Sequence, residues 1–285
     1  MKKYISILGS TGSIGLTTLK IIDKKKNYFK PCLFSANKNY KLICHQIKKY
    51  QPKYFIVSDI KVFNKIKQKY KNTKTKILNK FNKIEKNLKS DLTITAIPGL
   101  AGLNPTLEMI RFSKKMLIAN KESIICGWDL IKIKAKKNNV LVIPVDSEHY
   151  SILEIIKNHK ISEIKKVYIT ASGGPFLDYS VNKLKKVRPS DALNHPKWKM
   201  GKKITIDSST LMNKILELIE AQKLFNIPIK KLDVLLHPDS LVHAVVQFKN
   251  GFTKLIFHET SMIIPLANAI FDNNLDINSF SDNKK

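Results

Sequence analysis

Gly9, Gly12 and Gly15 stand three residues apart, directly after an apolar run and ahead of a helix-forming stretch. Residues that small let the backbone approach a pyrophosphate, whose charge sits well on the exposed N–H groups of a helix start. The spacing G-x-x-G-x-x-G is a variant of the dinucleotide fingerprint. Its place after a first strand favours a nucleotide loop over a tight turn without a ligand. The next apolar run ends in Ser35-Ala-Asn37-Lys38-Asn39. An NAD site puts an acid there to hold the ribose 2′-hydroxyl. Here no carboxylate would repel a 2′-phosphate and Lys38 could pair with one, so NADP is expected. In so lysine-rich a chain, the missing acid is the stronger half of that argument.

A second group of residues could hold a metal ion. Pro144-Val-Asp146-Ser147-Glu148-His149 closes an apolar run at 140–145, and ligands bind at the carboxyl edge of open α/β sheets. Two carboxylates two residues apart can address a hard divalent cation where the chain turns. Alone, the pair reads more simply as a helix start, where acids favour the dipole. Residues 209–224 change the balance. They pattern as a helix with Met212, Ile215, Leu216 and Ile219 on an apolar face and Asn213, Glu217 and Glu220 on a polar stripe. That stripe is either a solvated face or a means of aiming Glu217 at the Asp146–Glu148 pair, with Asn213 and Lys214 nearby for a phosphate. Ser172 lies in a Gly/Pro turn, and His195, Trp198, Met200 and Gly201 in a long polar loop. Trp198 and Met200 are poor surface residues unless they fold over something. His149, His237, His243 and His258 show no zinc spacing, and no hydrolase triad stands out.

The elements that must position these residues change character midway. In the first half, apolar runs at 4–8, 31–36, 54–57, 92–96, 116–119 and 140–145 alternate with helical stretches at 14–23, 40–50, 60–70, 105–112 and 123–137. That alternation predicts a doubly wound parallel sheet; residues 65–89 are the least structured part. Beyond Asp146, strands are expected at 167–171, 234–236, 242–249 and 252–258, the last two joined as a hairpin at Asn250-Gly251. Residues up to about 203 form a long loop, and Ser208 or Ser209 is expected to cap the helix over 209–224. The fold class is therefore α/β: a Rossmann-like nucleotide domain over 1–149, an α+β domain over 150–275, and a polar tail over 276–285.

With 285 residues, 43% of them hydrophobic, the chain can bury a core without disulfide staples, which excludes intrinsic disorder. The net charge of +29 suggests nucleic acid or a membrane surface. However, Arg111 and Arg188 are the only arginines, and base or bidentate phosphate recognition favours the guanidinium fork. The lysines are spread along the chain and read as solvated, so no nucleic-acid partner is expected. Cys32, Cys44 and Cys126 cannot all pair, and reduced thiols in the cytoplasm are the simplest account. No run reaches the ~18 apolar residues that span a bilayer, and no membrane partner is expected.

Six segments occur in the order and spacing of one family: Gly9-Ser-Thr-Gly-Ser-Ile-Gly15, Ala119-Asn-Lys-Glu-Ser123, Pro144-Val-Asp-Ser-Glu-His149, Ser172-Gly-Gly-Pro-Phe176, His195-Pro-Lys-Trp198, and Met212-Asn-Lys214 with Glu217. Over residues 1 to about 270 the chain resembles the 1-deoxy-D-xylulose-5-phosphate reductoisomerases. The resemblance implies an NADPH domain, a catalytic and dimerising domain, and a C-terminal helical bundle that is expected to be absent here. It implies rearrangement and NADPH reduction of a phosphorylated ketose to 2-C-methyl-D-erythritol 4-phosphate, by a homodimer joined through the central domain.

By position, the resemblance makes Asp146, Glu148 and Glu217 ligands of Mg²⁺ or Mn²⁺. Lys121, Ser147, Ser172, His195, Ser208, Asn213 and Lys214 would hold substrate alongside Glu148 and Glu217, and Lys121 and His195 join the metal ligands as catalytic residues. Thr11, Gly12, Ser13, Ile14, Asn37, Lys38, Asn39, Asn120, Glu122 and Gly201 would contact NADPH, with Trp198 and Met200 in a loop that closes over the site. The chain departs from the family at Asn37, Ile215, Asp239 and Thr260-Ser-Met262-Ile263. A weakened relative that binds nucleotide or dimerises without efficient turnover is the alternative.

Overall fold

Strands apolar on both faces are buried on both faces, and such strands build the first part of the molecule. The computed structural model describes residues 2–198 and 201–280. The chain divides into two units, Met1–Val145 with Leu266–Lys285, and Asp146–Pro265. In the first unit, β1 (Lys3–Leu8), β2 (Phe29–Ala36), β3 (Tyr54–Val57), β4 (Lys76–Leu78), β5 (Ser90–Thr95), β6 (Ser113–Ile118) and β7 (Leu141–Pro144) form one sheet. All pairs are parallel, in the order β4-β3-β2-β1-β5-β6-β7. Ile5, Ile7, Leu33, Phe34, Phe55 and Ile94 are fully buried along it. Helices α1 (Ser13–Lys24), α2 (Tyr40–Tyr50), α3 (Ile60–Lys69), α4 (Leu103–Ile110) and α5 (Lys121–Lys137) connect the strands. Strand order reverses between β1 and β5, the place where such sheets open a ligand crevice.

The sheet has one strand more than the sequence pattern predicts. β4 is a three-residue Lys-Ile-Leu edge strand inside the stretch that reads as unstructured. A short edge strand needs no continuous apolar run, so periodicity misses it.

The second unit holds a four-stranded mixed sheet in the order β11-β10-β8-β9, built from β8 (Ile164–Ala171), β9 (Leu232–Leu236), β10 (Val242–Phe248) and β11 (Thr253–Phe257). β10 runs antiparallel to β8 and β11, whereas β8 and β9 are parallel. The β10–β11 turn uses Gly251 at φ +91°, a left-handed conformation that favours glycine. The helices α6 (Ser147–Ile156) and α10 (Met212–Phe225) share the core through Ile152, Ile155, Ile156 and Ala221. That packing puts the boundary at 145/146, ahead of α6, and not at 149/150 inside it.

The stretch before α10 is not an open loop. It carries the short helices α7 (Val181–Leu184) and α8 (Pro189–Ala192) and the two-turn helix α9 (Lys202–Ser209). Leu211 takes φ +58° and breaks the helix between α9 and α10. Ser208 and Ser209 therefore end α9 and do not cap α10, and the Ser209 hydroxyl donates back to the Ile206 carbonyl at 2.7 Å.

The chain returns to the first unit along α11 (Ile263–Phe271), where Phe271 packs edge-on against Tyr28 and Phe29 at 5.8 and 5.7 Å. Lys115 donates to the Ala269 carbonyl and pairs with Asp272. The region expected as a polar tail begins with an anchored turn, Ile277–Phe280. Phe280 is buried, with the ammonium groups of Lys24 and Lys25 at 5.7 and 6.0 Å from its ring; residues 281–285 lie outside the described residues. Among the described residues no helix is long and apolar enough to cross a membrane.

Ile270 is buried in this return segment. Ile270→Ala is expected to cost about 2–5 kcal/mol, the usual range for emptying a core position, read as a lower urea midpoint. An unchanged midpoint would mean that the segment contributes nothing to the first unit's stability.

Candidate active site

In the first unit, the glycine loop is shaped by contacts that only glycine permits. Gly9 has φ +82°, and a Cβ there would stand 2.6 Å from the Ala96 carbonyl oxygen, across the β1–β5 reversal. At Gly15 a Cβ would meet Ser10 Cα at 2.6 Å. The Gly9 and Ser10 N–H groups donate to the Ser35 carbonyl at 3.1 and 2.8 Å. Ser10 and the buried Gln46 exchange two further hydrogen bonds. Gly12, at the N-cap of α1, has no side chain to satisfy the first N–H groups, the arrangement that anions exploit. Thr11, Ser13 and Ile14 lie partly or fully exposed at this opening.

Asn37, Lys38 and Asn39 are exposed between β2 and α2. The Asn39 oxygen caps α2, accepting from the Leu42 N–H at 3.2 Å. Asn120 caps α5 through the Ser123 N–H at 2.5 Å, while its amide donates to the Ile97 and Gly99 carbonyls. The side-chain oxygens of these two asparagines are thus engaged by their own helices. Lys121 is buried in the first turn of α5, next to the half-buried Glu122.

The second unit brings together the three acids singled out from sequence. One oxygen each from Asp146, Glu148 and Glu217 lies within 4.8 Å of the others. Asp146 occupies the N-cap of α6 but makes no side-chain cap bond. α10 inverts the expected polarity. Glu217 is 1% exposed and Asn213, Lys214 and Glu220 are buried, whereas Met212 and Ile215 are 45% and 50% exposed.

Buried carboxylates are costly unless paired, and Lys214 supplies the pairing. Its Nζ lies 2.5 Å from Glu148 Oε1 and 2.5 Å from Glu217 Oε2. Asn213 donates to Glu217 Oε1, and the Ser147 hydroxyl to Glu148 Oε2, both at 2.5 Å. Asn213 and Lys214, expected beside a phosphate, are turned here to the carboxylates, the strongest acceptors in reach. Burial and the charge of Glu217 push the Glu148 carboxyl up to about 7, against the pull of Lys214. Burial opposes the charge on Lys214, but Glu148 and Glu217 hold its pKa above the ordinary lysine range. Three carboxylates this close present a set of hard oxygen donors, which fits a divalent cation of the Mg²⁺ or Mn²⁺ kind.

Ser172 follows β8 in a turn where Gly173 and Gly174 take φ +85° and +73°. A Cβ on Gly174 would lie 2.7 Å from the Ser208 carbonyl oxygen, so the turn rests directly on the end of α9. His195 Nδ1 accepts the backbone N–H groups of Lys197 and Trp198 at 3.2 and 3.0 Å. That places the ring proton on Nε2, which donates to Ser172 Oγ at 3.0 Å. Burial, and then the charge of Lys214, lower the pKa of His195 and keep it neutral.

The Trp198 ring meets His243 edge-on at 6.0 Å, and His243 stacks on His258 at 3.6 Å. Asp239 pairs with Lys197 of the same loop at 3.2 Å. Gly201 is the N-cap of α9, with open space where a Cβ would go; Met200 lies outside the described residues. Two residues not assigned a role from sequence join the cluster. His149 and Glu220 form a second group with Asp146. Burial opposes a charge on His149, but Glu220 and Asp146 raise its pKa to about 9. The available signal was the spacing of Glu220 from Glu217 on one stripe, which reads equally as a solvated face.

Burial, reinforced by His258, holds His243 down at about 4, against an ordinary value of 6.5. The unfolded chain takes the proton first as pH falls. Stability linked to neutral His243 is thus full above 6.5 and lost progressively toward 4. Between pH 7 and pH 5, His243→Gln is expected to lose less melting temperature than the unsubstituted protein. Equal losses in thermal unfolding would refute this.

Two family models match the chain: 1-deoxy-D-xylulose 5-phosphate reductoisomerase over residues 5–127, and the C-terminal domain of that enzyme over 142–225. The 1-deoxy-D-xylulose 5-phosphate reductoisomerase of Pelagibacter ubique is 50% identical across 95% of this chain and 71% of its own length. That of Wolbachia pipientis wMel is 44% identical, across 94% and 69%. A crystal structure of a DOX-P reductoisomerase with NADPH, fosmidomycin and magnesium is 35% identical, with a TM-score of 0.87 over 94% of this chain and 69% of that one. The Zymomonas mobilis enzyme with NADPH is 31% identical, with a TM-score of 0.86 over 98% of this chain and 75% of its own. Likeness at this level reaches the nucleotide loop and the carboxylate cluster alike: the chain belongs to the 1-deoxy-D-xylulose 5-phosphate reductoisomerase family.

Proposed function

We propose that the chain converts 1-deoxy-D-xylulose 5-phosphate to 2-C-methyl-D-erythritol 4-phosphate, rearranging the carbon skeleton and then reducing the resulting aldehyde with NADPH. The observation that carries this reading is the convergence of Asp146, Glu148 and Glu217, drawn from two distant segments, to within 4.8 Å of one another.

When bound there, Mg²⁺ or Mn²⁺ supplies Lewis acidity to the substrate oxygens. The residues of the chain do the remaining work. Asp146, Glu148 and Glu217 hold the cation, while Ser147 and Asn213 orient two of these carboxylates. Ser172 accepts from His195, so its own proton is available to a phosphate oxygen. With Ser208 and Lys214 it anchors the phosphate, whose binding energy serves to orient the reacting end. Lys121 adds positive charge at the developing oxyanion. Trp198, seated against His243, belongs to the segment that excludes water, so that hydride reaches the aldehyde. Thr11, Gly12, Ser13, Ile14, Asn37, Lys38, Asn39, Asn120, Glu122 and Gly201 form the NADPH contacts.

A cytoplasmic homodimer is the state in which we expect the protein to work. Free Cys32, Cys44 and Cys126 suit a reducing compartment. The exposed apolar residues Ile206, Leu211, Met212, Ile215, Leu255 and Phe257 of the second unit suit a partner's surface.

Loss of NADPH absorbance with 1-deoxy-D-xylulose 5-phosphate and Mg²⁺ or Mn²⁺ tests the reaction directly. NADPH binding without turnover by folded protein would reject it. Glu217→Gln is expected to lower kcat/KM by more than the ~10–100-fold typical of groups that merely support a metal ligand. Lys38→Glu is expected to weaken NADPH roughly tenfold or more, in line with ~1.5–3 kcal/mol for a charged hydrogen bond. It should leave NADH nearly unchanged; equal effects on the two nucleotides would remove Lys38 from the 2′-phosphate.

A further inference from the structure

His149 is 0% exposed. It lies in the first turn of α6, between the helix start that carries Asp146 and Glu148 and the middle of α10 that carries Glu217. Its Nε2 is 2.9 Å from the Glu217 carbonyl oxygen. Its Nδ1 is 3.5 Å from Asp146 Oδ1 and 3.5 Å from Glu220 Oε2. Phe225 stacks on the ring at 6.4 Å. A carbonyl oxygen only accepts, so Nε2 carries a proton. Ionised carboxylates also only accept. Nδ1 faces one oxygen of each carboxylate. The ring thus donates from Nε2 to the backbone of α10 and sets Nδ1 at ion-pair distance from Asp146 and Glu220. Asp146 completes the pattern: aspartate is a favoured helix cap, yet here its carboxylate makes no cap bond and faces the imidazole.

We propose that His149, backed by Glu220, is a positioning residue for the metal site. It holds the Asp146 carboxylate in place and ties α6 to the Glu217 turn of α10, so that oxygens from two distant segments already converge before a cation arrives. This rests on the reading of Asp146, Glu148 and Glu217 as metal ligands. Groups that orient a ligand in this way commonly contribute ~10–100-fold in metal affinity.

Titration of the full chain with Mn²⁺, following free aquo-Mn²⁺ by electron paramagnetic resonance, tests the role without turnover. The unsubstituted protein is expected to bind one Mn²⁺ per chain. His149→Gln should bind it ~10–100-fold more weakly, and Glu220→Gln should weaken it in the same direction. NADPH affinity, read by protein fluorescence, should be unchanged in both. Glu220→Gln preserves side-chain size and carries the test if His149→Gln fails to fold. Unaltered Mn²⁺ affinity in a folded variant overturns the positioning role and leaves the ligands standing. Parallel loss of Mn²⁺ and NADPH affinity overturns it as a general structural defect. Two Mn²⁺ per unsubstituted chain overturn it by making His149 a ligand alongside Asp146 and Glu220. If the unsubstituted protein binds no Mn²⁺, the ligand reading itself fails, and the positioning role with it.

Discussion

Three carboxylates, one of them fully buried, cannot crowd within 4.8 Å of one another unless positive charge is brought to them, and the second unit is organised around meeting that condition. Lys214 reaches Glu148 and Glu217 from the first turn of α10, one turn before Glu217 itself. Asn213 and Ser147 satisfy further carboxylate oxygens. Three hard carboxylate donors held this close are what suits the cluster to a divalent cation.

The same condition accounts for the shape of α10. A helix on a core normally buries its apolar stripe, whereas this one buries Asn213, Lys214, Glu217 and Glu220 and leaves Met212 and Ile215 exposed. Burying those groups is tolerable because each has partners waiting on α6 or on α10 itself. The left-handed Leu211 separates α10 from α9.

The first unit answers a different demand, the close approach of backbone to an anion. Its sheet order reverses at β1 and β5, and the glycine loop lies at that reversal, where a Cβ at Gly9 or Gly15 would strike neighbouring backbone. Those glycines were legible because the physical requirement is local: strand, turn and helix start are consecutive in the chain. β4 was not legible, being three residues at a sheet edge, and neither was the anchoring of Phe280, which depends on residues far earlier in the chain.

The sequence by itself determined the alternating β/α half and the nucleotide loop, since each is written in local spacing, whereas the three acids were singled out as a set only through the resemblance to a family. It did not determine which side of α10 is buried. Asn213, Glu217 and Glu220 have the periodicity of a solvated stripe, and periodicity records which residues share a face, not what that face meets. Only the tertiary structure supplies α6 as the opposing surface, bringing Asp146, Glu148 and His149 within reach of Glu217 and Glu220. Contacts between segments some seventy residues apart in the chain follow from how helices pack, which no spacing within either helix encodes.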